Sequence, residues 1–419
     1  MLTRSLARLF PLALLLCATP ALAGDPSLAE LRKGHKTKIV VTKKDAEAAP
    51  KPEAPFLKLV KYPGPLGEMA AWMSVPGHEG HKHPAIVWVT GGFPSGGIGS
   101  SAWERSDYDN DQSAKSYRYN DMIVMYPWLR GDGGNPGKQE GFYGEVDDVI
   151  AAAKFLAKQP GVDPKRIYLG GHSTGGTLAL LVAGMNAFPF KGVFAFGPAD
   201  DPFGYGPETV YHDPKDAREI KLRAPLTIVN AIDVPTVVIE GAGGNADSLE
   251  SLRKASKNPK LTFAKIEGAD HFSVLRPIND AIAKVLGKLG EKDALPFTEA
   301  SLQQAFSGAI RARAEASDIQ TLARVRSAGV ELRKPQTVRW YLLSRGKMLI
   351  KAGEAAAKAK GFTTGEIESH KDRNGKPYFL VRIKKTITLT KLAELLDASA
   401  TARAIVKEQG LIYDGWDVE

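Results

Sequence analysis

Apolar residues change their period along the chain in a regular way. Residues 84–90 (P-A-I-V-W-V-T), 121–126 (D-M-I-V-M-Y), 167–169, 191–196, 235–239 (P-T-V-V-I) and 261–266 are short, nearly continuous apolar runs. That is the pattern of strands buried on both faces. Between them lie stretches with helical spacing, such as Val146, Val149, Ala153 and Leu156 within residues 145–158, and the segment 277–289. Residues 56–61 and 69–74 read as two further strands joined by Pro63-Gly64-Pro65. Strands alternating with helices predict an α/β fold with a mostly parallel sheet flanked by helices. Its site should lie at the C-terminal strand ends. Residues 199–233 interrupt the pattern. Asp200, Asp201, Phe203, Tyr205, Tyr211 and His212 sit there among glycines and prolines. Two readings of this excursion stand equal, a segment that lines or covers the site and a plain surface excursion, and His212 is not counted among the catalytic groups.

A different order follows Leu295-Pro296. Residues 297–328 read as a helix with Leu302, Phe306, Ile310, Ile319, Leu322 and Val325 as its stripe. Then come a strand (T-V-R-W-Y-L-L), a helix over 347–360, a strand over 362–370 and a turn at 372–375. A strand over 378–386, a helix over 389–409 and a last strand at 411–413 complete the series. Asn374-Gly375 suits a type I′ hairpin turn. This βαββαβ order predicts a C-terminal α+β ferredoxin-like domain.

The N-terminus changes the picture of where the protein works. Arg4 and Arg8 precede an apolar run from Leu9 to Leu16, and Ala21-Leu22-Ala23 is a small-residue cleavage site. Residues 1–23 are therefore expected to be a signal peptide, and the mature protein periplasmic or secreted. The run is too short for a membrane span. The single cysteine, Cys17, lies inside it, so the mature chain has no thiol chemistry. Leu16 before Cys17 argues against lipidation. Residues 24–55, rich in Pro, Ala, Glu and Lys, are expected to be a flexible linker. The formal charge of +9 is concentrated late: residues 297–419 hold 21 basic and 14 acidic groups, a net +7. The strands there carry no aromatic–basic stacking motif, so nucleic acid is not the expected partner.

The chemistry is carried by I-Y-L-G-G-H-S-T-G-G-T-L-A-L at residues 167–180. A short strand ends in glycines, and a small-residue helix follows. Gly171-His172-Ser173-Thr174-Gly175 is G-x-S-x-G in its strand–turn–helix context, and it makes Ser173 the candidate nucleophile. The Thr174 amide is one candidate oxyanion donor. The second is expected from Gly92 or Phe93, in the glycine turn after residues 84–90. An acid belongs on the loop after residues 235–239, in the order Ser, Asp/Glu, His. Asp247 is the expected acid, with Glu240 as its competitor at the strand end. After residues 261–266, the turn Gly268-Ala269-Asp270-His271-Phe272 places His271 as the general base. His78, His81 and His83 cluster before residues 84–90, but no carboxylate pattern surrounds them. An exposed polar loop is the expected reading there, with no metal and no cofactor.

Residues 56–289 resemble the α/β-hydrolases, nearest the prolyl oligopeptidase and dienelactone hydrolase branches. The resemblance rests on R-G-D-G-G at 130–134, G-E-V-D-D-V at 144–149, V-D-P-K-R-I-Y-L-G-G-H-S-T-G-G at 162–176, residues 224–241, and G-A-D-H-F at 268–272. It implies a Ser173–Asp247–His271 triad that forms an acyl-enzyme. Thr90 stands where these proteins often have a histidine, and the acid loop is longer than usual. The propeller of true prolyl oligopeptidases has no room here. The last hundred or so residues resemble the ribonuclease E inhibitor family, also called regulator of ribonuclease activity B. Gly361-Phe362 and Tyr413-Asp414-Gly415-Trp416 carry that resemblance. Its implied cytoplasmic ribonuclease partner conflicts with the signal peptide, so the domain is read as a binding or spacer module.

The expected domains are thus 1–23, 24–55, a catalytic domain over 56–292, and 297–419. The expected function is an exported serine hydrolase, a peptidase or carboxylesterase, acting on a small ester or peptide substrate. The competing reading is a non-catalytic exported adaptor whose basic C-terminal module binds a protein partner.

Overall fold

The computed structural model describes residues 25–419 apart from 77–79, 93–96 and 105. The expected signal peptide, His78 and Phe93 lie outside the described residues. The chain divides into two units, Met1–Phe306 and Ser307–Glu419. The division falls inside a helix rather than near Pro296.

The first unit is built on eight strands: β1 (Leu57–Gly64), β2 (Gly67–Ser74), β3 (His83–Val89), β4 (Ile123–Pro127), β5 (Val162–His172), β6 (Gly192–Phe196), β7 (Thr236–Gly241) and β8 (Leu261–Ile266). Their order is β1-β2-β4-β3-β5-β6-β7-β8. The β1–β2 and β2–β4 pairs are antiparallel, and every later pair is parallel. The apolar runs become parallel strands because both sheet faces are covered. Ala85, Val87 and Val89 of β3 enter one core, with residues of α3 (Glu145–Leu156) and α4 (Thr174–Met185). Ile86 and Trp88 enter the other, with residues of α8 (Leu275–Leu286). Shorter helices α1 (Leu28–Arg32), α2 (Lys115–Tyr119), α5 (Ala217–Lys221), α6 (Pro225–Ile228) and α7 (Ala246–Ala255) fill the remaining connections. Among the described residues, no helix is long and apolar enough to cross a membrane.

The segment expected to be a flexible linker packs along this unit instead. Ser27 caps α1 through a capping box, and Leu28 is fully buried. Arg32 pairs with Asp147 at 2.7 Å. Glu219 accepts from the Thr37 hydroxyl and the Lys38 amide, each at 2.8 Å. The Trp72 indole donates to the Pro50 carbonyl at 2.8 Å. These anchors are mostly polar and main-chain contacts, so no apolar run announces them.

Arg130 and Asp148 are both buried and fix the loop between β4 and α3. The Arg130 guanidinium donates to both Asp148 oxygens, at 3.0 and 2.9 Å, and its amide donates at 2.8 Å. Such a pair is costly to break from one side.

The second unit is the expected ferredoxin-like sheet. Helix α9 (Glu299–Ser327) crosses the division; β9 (Pro335–Ser344), α10 (Lys347–Ala359), β10 (Thr363–Thr364), β11 (Glu368–Lys371), β12 (Pro377–Thr388), α11 (Leu392–Gln409) and β13 (Ile412–Val418) follow. The strand order is β10-β12-β9-β13, antiparallel throughout, with β11 also on β12. The strand expected over 362–370 is split. Thr364 lies opposite Ile383 and Glu368 opposite Leu380, so one extra residue bulges out between β10 and β11. Asp318 is buried and accepts from Arg403 at 2.6 Å and from the Trp416 indole at 3.0 Å.

Burial pushes the Glu145 carboxyl up to about 7, and one of its oxygens has no partner. The folded chain therefore holds a proton that the unfolded chain releases near pH 4.5. This contribution to stability is full below pH 4.5 and is lost as pH rises through about 7. Glu145→Gln should remove that loss. Denaturant melts at several pH values should show the variant gaining on the wild type between pH 4.5 and 7.5.

Candidate active site

Strand register assembles the site. Parallel pairing sets Val89 of β3 beside Gly171 of β5, and His172 beside Phe196 of β6. Ser173 therefore emerges where the C-terminal ends of three strands meet. Its backbone is forced to φ 55°, ψ −122°, and its amide donates to the Phe196 carbonyl at 2.8 Å. Side-chain residues avoid positive φ, so the surroundings must hold this angle. They do so by close approach. A Cβ on Gly175 would lie 2.1 Å from the Val89 carbonyl oxygen, so only glycine lets α4 sit this near β3. Thr174 opens α4 directly after the serine. A Cβ on Gly91 would come within 3.0 Å of the Ser173 Cβ, which sets the turn after β3 beside the serine. Gly92 belongs to that turn.

His271 follows β8 as expected. Its partner is not the expected acid. The Nδ1 of His271 lies 2.9 Å from Glu240 Oε2, and the Glu240 side chain is fully buried. Asp247 is exposed in the first turn of α7. The reason is that β7 runs through Glu240 to Gly241, next to β8, so the strand itself delivers the carboxylate. The long glycine loop after it wraps that carboxylate rather than supplying one. The Gly241 amide donates to Oε1 at 2.7 Å and the Asn245 amide to Oε2 at 3.0 Å. Gly197, after β6, has φ 56°, and a Cβ there would stand 2.4 Å from His271 Cε1 and 2.8 Å from Glu240 Oε2. The imidazole and carboxylate thus lie against the end of β6, the strand whose Phe196 carbonyl holds the Ser173 amide.

Two further side chains join the site. His172 is buried and donates from Nε2 to the His271 carbonyl at 2.9 Å, while its Nδ1 lies 2.9 Å from the end of the Gln112 side-chain amide, whose NH2 is the group that an unprotonated Nδ1 accepts from. Burial, helped by the nearby His271, pushes its imidazole down to about 3. Its ring lies 4.5 Å from that of His271. Tyr205, from the excursion after β6, donates its hydroxyl to the Gly197 carbonyl at 3.3 Å, beside the end of β6. That hydroxyl also meets Thr177 Oγ1 and the Ala199 amide, each at 2.9 Å. The sequence placed Tyr205 in the excursion, but nothing in it marked these contacts. The x position of G-x-S-x-G gives no hint that His172 supports the histidine turn.

Residues 109–218 match the prolyl oligopeptidase family profile, and residues 315–418 match regulator of ribonuclease activity B. No curated protein matches the sequence. Among solved structures, the chain is similar to a puromycin-hydrolyzing peptidase of Mycobacterium tuberculosis, with 20% identity over 58% of this chain and 41% of that one, at a TM-score of 0.45. It is also similar to acylaminoacyl peptidase of Pyrococcus horikoshii, with 16% identity over 59% of this chain and 43% of that one, at a TM-score of 0.43. A third is 2,6-dihydroxy-pseudo-oxynicotine hydrolase, with 17% identity over 58% of this chain and 71% of that one, at a TM-score of 0.44. The chain thus spans about two fifths of the length of these two peptidases. The first unit thus has the mostly parallel, helix-flanked sheet of an α/β-hydrolase-like fold, with residues 109–218 similar to the prolyl oligopeptidase family, and residues 315–418 in the second unit are similar to regulator of ribonuclease activity B.

Proposed function

We propose that the first unit cleaves an ester or peptide bond through a Ser173–His271–Glu240 triad. The observation that carries this reading is the 2.9 Å bond from His271 Nδ1 to the buried Glu240, behind a serine held at positive φ. Glu240 fixes the imidazole tautomer, so that Nε2 takes the Ser173 proton as the hydroxyl attacks. Glu240 also stabilises the imidazolium that forms. The Thr174 amide and the glycine turn at Gly91-Gly92 are the proposed donors to the oxyanion. Collapse of the tetrahedral intermediate, with His271 returning its proton to the leaving group, gives the acyl-enzyme that water then clears. His172 stays neutral beside this pair, so it adds no second positive charge when His271 is protonated. The signal-like N-terminus supports an exported enzyme, with the second unit as a protein-binding module.

Fluorophosphonate labelling and turnover of activated esters and short peptides test the reading. Ser173→Ala and His271→Ala should abolish labelling. Glu240→Gln should lose about 10⁴-fold in kcat, because it holds the wrong tautomer. Asp247→Asn should stay within about a factor of two, as an exposed substitution does. Equal loss in Asp247→Asn and none in Glu240→Gln would overturn the proposed acid. A separate check is the protonation of His172. Its ring resonances, assigned by comparison with His172→Gln, should show a neutral imidazole from pH 8 down to about pH 4, given a group pushed down to about 3.

A further inference from the structure

The N-terminal ends of the parallel strands, opposite the serine, carry a second cluster of reactive side chains. His81 lies at a bend two residues before His83, the first residue of β3. The carboxylate that their neighbourhood in sequence lacks arrives from 38 residues further on. Strands β3 and β4 pair in parallel with Ala85 beside Ile123, so His83 and Asp121, each two residues earlier, are brought side by side. His81 Nε2 lies 2.8 Å from Asp121 Oδ2, and His83 Nδ1 lies 3.0 Å from Asp121 Oδ1. The imidazole centroids are 4.1 Å apart, and the donor atoms of all three residues lie within 4.8 Å of one another.

We propose that His81, His83 and Asp121 form a binding site for a divalent transition metal ion, with Zn²⁺ as its representative occupant. Two imidazoles and a carboxylate are borderline ligands that suit Zn²⁺, Ni²⁺ or Cu²⁺, and do not suit the all-oxygen preference of Ca²⁺ or Mg²⁺. Bonds of about 2.0–2.2 Å at tetrahedral angles set donors roughly 3.3 Å apart. The separations of the two imidazole nitrogens from the Asp121 oxygens that face them, 2.8 and 3.0 Å, are within about half an ångström of that spacing. Small rotations of the exposed His81 and of Asp121 would open the triangle to admit the ion.

The surroundings hold the triangle in place. His83 is buried at the head of β3, and its amide donates to the Gly161 carbonyl at 2.7 Å. The residue between the histidines is clamped too: Arg166 donates to the Lys82 carbonyl at 3.0 Å while paired with Asp163 at 2.7 Å. Asp121 stands at φ 61°, an angle a side-chain residue adopts at a cost. His81 is 51% exposed, so solvent can reach a fourth position. Three protein ligands with one open position is the coordination of sites that exchange a water or a small ligand. Binding exchanges the His81–carboxylate hydrogen bond, and the bond that His83 Nδ1 makes to the Asp121 carbonyl at 3.1 Å, for metal bonds. It therefore releases the protons held in those hydrogen bonds.

The test uses the full chain without an affinity tag, stripped with a chelator. Zn²⁺ is titrated against a competing chromophoric chelator, and Co²⁺ is used as a spectroscopic reporter. Wild type is expected to bind one equivalent of Zn²⁺, and the Co²⁺ form to show visible bands of four- or five-coordinate nitrogen–oxygen ligation. His81→Ala and Asp121→Asn should each lose at least tenfold in affinity, with circular dichroism and fluorophosphonate labelling unchanged. His81 is exposed, so its removal leaves the fold intact. No stoichiometric binding by wild type would overturn the site. So would binding that survives both substitutions at wild-type affinity; in that case the cluster is only an aspartate bonded to two imidazoles.

Discussion

The first unit depends on one close approach of main chain to main chain. Helix α4 must start within contact of the end of β3, because that is what holds Ser173 at φ 55°. Any side chain at Gly175 would drive into the Val89 carbonyl and push the helix away. The strain at the serine is held by the sheet on one side, through the Phe196 carbonyl, and by the packed α4 on the other. Both cores of the unit contribute to that clamp, since α4 lies on one sheet face and Trp88 packs on the other.

The histidine is positioned by a different device. Its imidazole is tied to a carboxylate that has no access to water, and the carboxylate is satisfied by backbone amides of its own loop. Its carbonyl is tied to His172, next to the serine in sequence. The serine turn and the histidine turn are therefore joined through His172 as well as through the end of β6. A buried imidazole that resists protonation suits that role, because its donor pattern stays constant over the working pH range.

The two ends of the parallel sheet carry different chemistry. At the C-terminal ends, glycine-rich turns let the backbone approach Ser173 and His271 closely. At the N-terminal ends, register alone gathers two histidines and an aspartate. The strap formed by residues 27–50 is bonded by Asp147, Glu219 and the Trp72 indole, and so adds order to the first unit without adding an element to its sheet. The second unit repeats no part of this logic. It is an antiparallel sheet with its own core around Trp340, Val381 and Ile405.

Period and punctuation made the sheet, the serine turn, the histidine turn and the ferredoxin-like unit readable from the sequence. Each of these is a local pattern: an apolar run ending in glycine, a helix of small residues, an Asn-Gly turn. The positions of Ser173 after β5 and of His271 after β8 were readable for the same reason. The carboxylate that meets His271 was not, because choosing between Glu240 and Asp247 requires knowing where β7 ends and which way its last side chain faces beside β8. The strap escaped notice because polar and main-chain anchors leave no periodic trace. The contacts of His172 and Tyr205 with the site, and of Asp121 with His81 and His83, join residues far apart along the chain. Strand register and the packing of loops decide such contacts, and local sequence does not encode them.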